Sequence, residues 1–376
     1  MQIKRITAYP VRYPETNDYN NLRHLTLVKI ESDDGLTGWG ECVAMWPEVA
    51  RAVKTLIEDG LAPQIIGRDP RDNEALHAAL KDYMWWYGDT GMAMFALSAI
   101  DMALWDLKGK ALGVPLVQLL GGKVHDRLRV CASTHPSKAS LDDLAQELAA
   151  HAANGYTAVK VGFGKTGEAN LGVDPERDIA YVKTVREALG PDVEFIVDLG
   201  KKTRWDSNLA IRMMREFERY NVRWIEDPLP HGPASIEGYR RLRATTHTPI
   251  AMGEREWTVA GYKRLIEQNI GDIFMVDPGR VEGVTGVRRV IDLLEASNLI
   301  FNAHTWSSAI NTAASIHLTA STPNYLVLEM KPVRSPMQHE LIRQPFEQSG
   351  GYLSVPDAPG LGIEVDEAVV QKYLFA

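Results

Sequence analysis

The sequence predicts an α/β barrel of eight strand–helix units that follows an α+β domain, and three observations carry that expectation. Between residues 128 and 330, eight short apolar runs alternate with amphipathic stretches. Most of those runs close on an ionisable residue, and the closing residues recur at barrel spacing. The start of the chain has a different period, that of strands in hairpins.

In HLTLVKIESDDGLTGWGE, apolar residues including Leu25 and Leu27 alternate with polar ones around Asp34-Gly35, a pair suited to a hairpin turn. An antiparallel sheet is therefore expected first. From about Trp46 to Leu119 the period becomes helical, with apolar residues three and four apart in AVKTLIEDGLAPQII, NEALHAALKDYMWW and GMAMFALSAIDMALWDLKGKAL. Residues 1–125 thus read as an α+β domain. The runs LRVCAS, YTAVKV, VEFIVD, VRWIED, TPIAMGE, IGDIFMVD, NLIFNAH and NYLVLEM then supply the barrel strands of a domain over 126–330. A doubly wound open sheet is the architectural alternative. The tail, 331–376, holds Gly-Gly and Pro-Gly turns and one short strand, LSVPD, and is expected to fold back on the first domain.

Composition narrows the partners. At 45% hydrophobic and 24% charged residues, the 376-residue chain has enough apolar mass for a large core and is not expected to be disordered. A net charge of −8 gives no basic footprint for nucleic acid or an anionic membrane, so a small molecule is the expected partner. The start MQIKRITAYPVRYPE lacks an apolar signal core, and no stretch reaches the ~20 apolar residues of a membrane helix, which points to the cytoplasm. Cys42 and Cys131 are too few and too far apart for a disulfide framework or a thiolate metal site.

Barrel enzymes carry their chemistry where strands end, so the residue that closes each run is the informative one. Runs three to eight close on Asp198, Glu226, Glu254, Asp277, His304 and Glu329, at intervals of 28, 28, 23, 27 and 25 residues. Each alone would read as a helix cap or half of a surface ion pair. Together, Asp198, Glu226 and Glu254 on adjacent strands would repel strongly unless a cation stood among them, and an all-oxygen set suits Mg²⁺. A carboxylate substrate on such an ion can lose its α proton to give an enediolate. His304, with Asp277 to fix its tautomer, is the candidate base. Glu329 can donate to the enediolate when protonated or close an ion pair with a lysine. Alternation on the second strand turns Lys160 to the same face as Ala158 and Gly162, where it is a base, an electrophile or a counter-ion to the acidic cluster.

With these residues in place the chain resembles the enolase superfamily, and within it the mandelate racemase subgroup. The stretch ALSAIDMALWDLKGKALGVPLVQLLGG, Ala96 to Gly122, looks like the signature that ends the family's capping domain, and VDPGRVEGVTG looks like its sixth-strand segment. The resemblance implies a TIM-like (β/α)7β barrel under an α+β capping domain completed by the C-terminal tail. It also implies one Mg²⁺ on Asp198, Glu226 and Glu254, a His304–Asp277 acid–base dyad, and Glu329 assisting the enediolate. Racemase-like members carry a Lys-x-Lys pair on the second strand, whose second lysine is the opposite-face base. Here that position is Gly162, and Gly200 stands where some sugar-acid dehydratases carry a histidine.

A racemase must move protons on both faces, whereas dehydration can use one histidine for the α proton and for the leaving hydroxyl. The expectation is therefore a Mg²⁺-dependent dehydratase of an aldonate or aldarate that gives a 2-keto-3-deoxy acid. The GERE segment, with Arg255 beside Glu254, also resembles the family's sugar-acid dehydratases. Lys202, Trp46, Tyr19 and Arg23 are further candidate substrate contacts, the last three on loops that the resemblance places over the site. The competing functions are a racemase, epimerase or lactone cycloisomerase with Lys160 or Lys202 as second base, and a non-catalytic sugar-acid binder. A nicotinamide enzyme lacks its GxGxxG, and VGFGKTGEAN is not a phosphate-binding loop. Dimers and octamers are common in the resembled family, so a homo-oligomer is expected.

Overall fold

The computed structural model describes residues 1–136, 138, 140–162, 170–200 and 203–375. Three strands, β1 (Ile3–Glu15), β2 (Asn21–Ser32) and β3 (Thr37–Val43), form an antiparallel sheet in that order. The β2–β3 hairpin turns through Gly35, whose φ of +90° favours glycine. Four helices follow: α1 (Pro47–Thr55), α2 (Asn73–Tyr83), α3 (Met92–Leu112) and α4 (Leu116–Leu119). Helix α3 is apolar on nearly every side and is buried along most of its length. It lies against β3 where Gly38 and Gly40 present no side chain: a Cβ on Gly40 would stand 2.0 Å from the Ala99 carbonyl oxygen.

The barrel strands are β4 (Arg127–Thr134), β5 (Ala158–Val161), β6 (Glu194–Asp198), β7 (Val222–Glu226), β8 (Ile250–Met252), β9 (Ile273–Val276), β10 (Ile300–Ala303) and β11 (Leu328–Met330). Between them run α5 (Leu141–Ala153), α6 (Pro175–Leu189), α7 (Ser207–Glu218), α8 (Ile236–Thr245), α9 (Val259–Glu267), α10 (Gly283–Ala296) and α11 (Ala309–Ala320). Among the described residues β11 leads into a short π-helical segment (Pro336–Glu340) and no α-helix of its own, so the barrel is (β/α)7β. The parallel ladder runs from β10 in reverse order to β4 and on to β11, which pairs beside β4. Phe301 N–H donates to the Asn324 carbonyl at 3.2 Å and draws the two ends together. This closure excludes the open sheet.

Alternation along the strands sorts their side chains into two shells. One set, including Cys131, Ala158, Ile196, Trp224, Ala251, Ile273, Met275 and Val327, fills the barrel interior. Their immediate neighbours, such as Val159, Val197 and Ile225, pack outward against the helices. Two residues beyond Ala158, Ile196, Trp224, Met275 and Val327 the same inward face returns, and there stand Lys160, Asp198, Glu226, Asp277 and Glu329. The charged rim is the next layer above an apolar plug.

The tail splits its contacts. Strand β12 (Tyr352–Ser354) pairs antiparallel with β4 of the barrel and not with the first sheet. Other parts of the tail reach the capping domain: Leu361 N–H donates to Asp106 of α3 at 2.8 Å, α12 (Glu367–Tyr373) carries Glu367 to Lys29 at 2.6 Å, and Leu374 bridges to Val11. No helix among the described residues is long and apolar enough to cross a membrane.

Candidate active site at the C-terminal rim of the barrel

Asp198 and Glu226 end β6 and β7 as register neighbours, Glu254 lies just beyond β8, and Asp277 and His304 follow β9 and β10 directly. Glu329 lies within β11 and Lys160 within β5. The barrel brings all seven to one rim. Lys160 Nζ stands 2.8 Å from Glu226 Oε2 and 3.6 Å from Asp198 Oδ2, and it also pairs with Glu329. Burial alone would strip this lysine of its proton, but attraction to Glu226, Glu329 and Asp198 outweighs it and holds the pKa well above the usual value.

The carboxylates feel the converse. Burial raises Asp198 to about 7, with repulsion from Glu254, Asp227 and Glu329 working against Lys160's attraction. Burial likewise pushes Glu226 well above the carboxylate range. Glu254 goes the other way: despite burial, its contact with His304 holds it well below. Glu226 Oε1 is buried with no hydrogen-bond partner.

His304 Nδ1 lies 2.7 Å from Asp277 Oδ2, and its Nε2 lies 3.1 Å from Glu254 Oε2. Asp277 is held in turn by Asn311 Nδ2 at 2.7 Å, the Gly279 N–H at 2.8 Å and Arg280 Nε at 3.2 Å. Burial and Arg280 lower the pKa of His304, but Asp277 and Glu254 prevail and raise it to about 10. Asp277 is lowered despite burial, chiefly by Arg280 and His304. The imidazole orientation is therefore set by a carboxylate itself fixed by three donors. As the side chains stand, no group of three or more His, Cys, Asp or Glu among the described residues is gathered to hold a metal ion. Lys160 and His304 stand among these carboxylates, with Arg280 on Asp277 at 3.2 Å and Arg255 on Glu254 at 3.4 Å.

Lys160, Asp198, Glu254 and His304 line a cavity of about 110 Å³, walled otherwise by Arg23 and Met45 of the capping domain and by His135, Arg280 and Trp306 of the barrel. Of the candidate substrate contacts among the described residues, Arg23 alone lines it. Arg23 is anchored to Asp18 at 2.7 Å and lies over the Trp306 ring at 4.9 Å. The Tyr19 hydroxyl donates to the Pro136 carbonyl, Trp46 precedes α1 with 60% of its surface exposed, and Lys202 lies outside the described residues. Arg255 contacts Glu254 at 3.4 Å and Asp227 at 3.7 Å, and lines a separate cavity of about 440 Å³ beside α8 and α9. That larger cavity contains none of the rim residues.

His135, Arg280, Trp306 and Asn311 were not singled out from the sequence. His135 had a legible signal: it follows β4 directly and would have emerged had the strand-end rule been applied to the first run. Arg280 and Trp306 sit in loops a few residues past Asp277 and His304, where no period reaches.

The comparisons agree with this geometry. Residues 143–369 match the "Enolase C-terminal domain-like" family model, and residues 14–121 match "Mandelate racemase / muconate lactonizing enzyme, N-terminal domain". D-galactonate dehydratase of Ralstonia nicotianae is 32% identical, covering 98% of this chain and 94% of its own. The crystal structure of 3,6-anhydro-D-galactonate cycloisomerase from Zobellia galactanivorans superposes with a TM-score of 0.88 at 30% identity over 100% of both chains. That of a racemase from Streptomyces coelicolor A3(2) with bound magnesium does so at 0.87 and 26% identity, over 99% of this chain and 100% of that one. A closed (β/α)7β barrel with carboxylates on consecutive strand ends, under a capping domain that both family models bracket, places this chain in the enolase superfamily, in its mandelate racemase and muconate lactonizing enzyme branch.

Proposed function

We propose that the chain is a Mg²⁺-dependent dehydratase of a sugar acid, an aldonate or aldarate, that yields the 2-keto-3-deoxy acid. The observation that carries this reading is the His304–Asp277 pair at 2.7 Å, set against a β5 lysine, Lys160, already committed to three carboxylates. Dehydration tolerates a single dyad. Racemisation does not.

The residues present fit a divalent ion. Asp198, Glu226 and Glu254 are buried carboxylates on consecutive strands, two of them forced towards protonation by burial and mutual repulsion, and one oxygen of Glu226 lacks any hydrogen-bond partner. All three offer oxygen, as magnesium prefers. These three would hold it, Glu254 by exchanging His304 for the ion, and the bound ion would polarise the substrate carboxylate and stabilise charge developing on it. His304, left with Asp277 as its partner, takes the C2 proton at Nε2. Lys160 stays protonated through its ties to Glu226, Glu329 and Asp198, and serves as fixed positive charge, not as a base. Arg23 and Trp306 bound the space for the hydroxylated chain and exclude water from it.

The Ralstonia relative supports dehydration; the Zobellia structure supports cycloisomerisation as the second reading, because opening a lactone or anhydro ring also begins at the carbon next to the carboxylate. The enzyme is further proposed to work as a homo-oligomer, for which the exposed Trp85 and Trp86 of the capping domain, 72% and 78% accessible, offer apolar surface. The test is purified protein with Mg²⁺ against a panel of aldonates, aldarates and their lactones, with semicarbazide trapping of 2-keto acids. A 2-keto-3-deoxy product is expected from at least one acid. A 2-keto product from a lactone or anhydro acid, with none from any open-chain acid, would favour the cycloisomerase.

A further inference from the structure

Gly162 is a vacancy on β5 only in sequence. A Cβ built there would lie 2.8 Å from Cδ2 and 3.1 Å from Nε2 of His135, so the space beside Lys160 is filled by an imidazole delivered from the neighbouring strand β4. His135 lines the same cavity as His304, Lys160, Asp198 and Glu254. Strands β4 and β10 flank β11 around the barrel, so the two imidazoles enter from either side of Glu329.

The His135 ring is held as a reacting group would be. It stacks on Trp306 with centroids 4.3 Å apart and planes at 18°, and its Nδ1 stands 3.4 Å from Asp18 Oδ1. Asp18, buried and paired with Arg23 at 2.7 Å, comes from the capping domain. The Asp18 carboxylate stands on the Nδ1 side, at 3.4 Å against 2.7 Å in the Asp277–His304 pair, which leaves the Nε2 edge turned towards Gly162 and the cavity.

We propose that His135 is a second acid–base residue of this site, the one that protonates the hydroxyl leaving from C3. The role rests on the dehydratase reading. His304 takes the C2 proton, the C3–O bond breaks, and the hydroxyl departs as water with a proton from His135 Nε2. The enol then accepts at C3 the proton held by His304 and releases its own hydroxyl proton, which reloads His135. Only water is lost, and both histidines return to their starting states.

The test uses Mg²⁺-loaded protein with the sugar acid found active and with its 3-deoxy-3-fluoro analogue, whose fluoride leaves without a proton. For His135→Asn, kcat for water elimination is expected to fall about 100-fold or more, as for loss of a general acid. Exchange of the C2 proton of recovered substrate in D₂O should persist, and fluoride release should stay near the wild-type rate. His304→Asn should lose all three. Equal losses of water and fluoride elimination in His135→Asn, with His135→Gln the same, would reduce His135 to a packing residue and overturn the role. Unimpaired dehydration by His135→Asn would overturn it too, leaving the dehydratase reading intact. A wild type that dehydrates no sugar acid would remove that reading and this role with it.

Discussion

Lys160 shows how one residue's charge is decided by its neighbours. An isolated buried ammonium would lose its proton, yet three carboxylates converge on this one and keep it charged. Removing the cation leaves Glu226 and Glu329 buried without it, so Lys160→Met should cost about 3–5 kcal/mol in metal-free protein. Mg²⁺ should restore much of that loss, and thermal melts with and without the ion should give the variant a larger Mg²⁺-induced shift than wild type. At this scale the sequence was informative where alternation applied. Asp198 and Glu226 were readable because they close apolar runs, and Lys160 because it sits two residues from Ala158. Arg255 does contact its neighbour Glu254, at 3.4 Å, but it lines the cavity beside α8 and α9 and not the one at the rim. Which role Lys160 takes was not readable, because it depends on distances between strands.

At the scale of elements, α3 ties the sheet, the barrel and the tail together. Its Asp101 accepts hydrogen bonds from the Thr285 backbone and hydroxyl on α10, and its Asp106 accepts from the Trp39 and Leu361 backbones. The helix fits against β3 only because Gly38 and Gly40 allow backbone contact. Gly40→Ala should therefore destabilise by about 3 kcal/mol, measured by urea denaturation. Asp101 carries a pH signature. Burial raises its carboxyl from 3.8 to about 7, against the pull of Thr285. The folded state thus holds a proton that the unfolded chain releases, so this group's contribution is complete below about pH 4 and is lost as pH rises through about 7. Compared with Asp101→Asn, wild type should lose about 1.4 kcal/mol of relative stability for each pH unit climbed within that window, as read from urea denaturation at a series of pH values. The helical period of 92–112 was visible in the sequence, but not these partners, because glycines in a strand and an aspartate in an apolar helix acquire meaning only once the neighbour is placed.

For the whole molecule, the eight-strand rhythm revealed the barrel, and its closure follows from β11 lying beside β4. The tail was partly legible. Its strand was visible as LSVPD, but the partner was not, since β12 pairs with a strand more than 200 residues earlier. The cavity is the same kind of object: Asp18, Arg23 and Met45 from one end of the chain meet Trp306 from the other. No local period encodes such a meeting between distant parts of the chain.

The most direct measurement compares wild type with His304→Asn, both with Mg²⁺, following C2 deuterium incorporation and product formation by NMR in D₂O while calorimetry records Mg²⁺ binding. Loss of exchange and turnover by about 100-fold or more, with Mg²⁺ affinity retained, is the expected result. Exchange at the wild-type rate in the variant would contradict proton abstraction by the His304–Asp277 dyad.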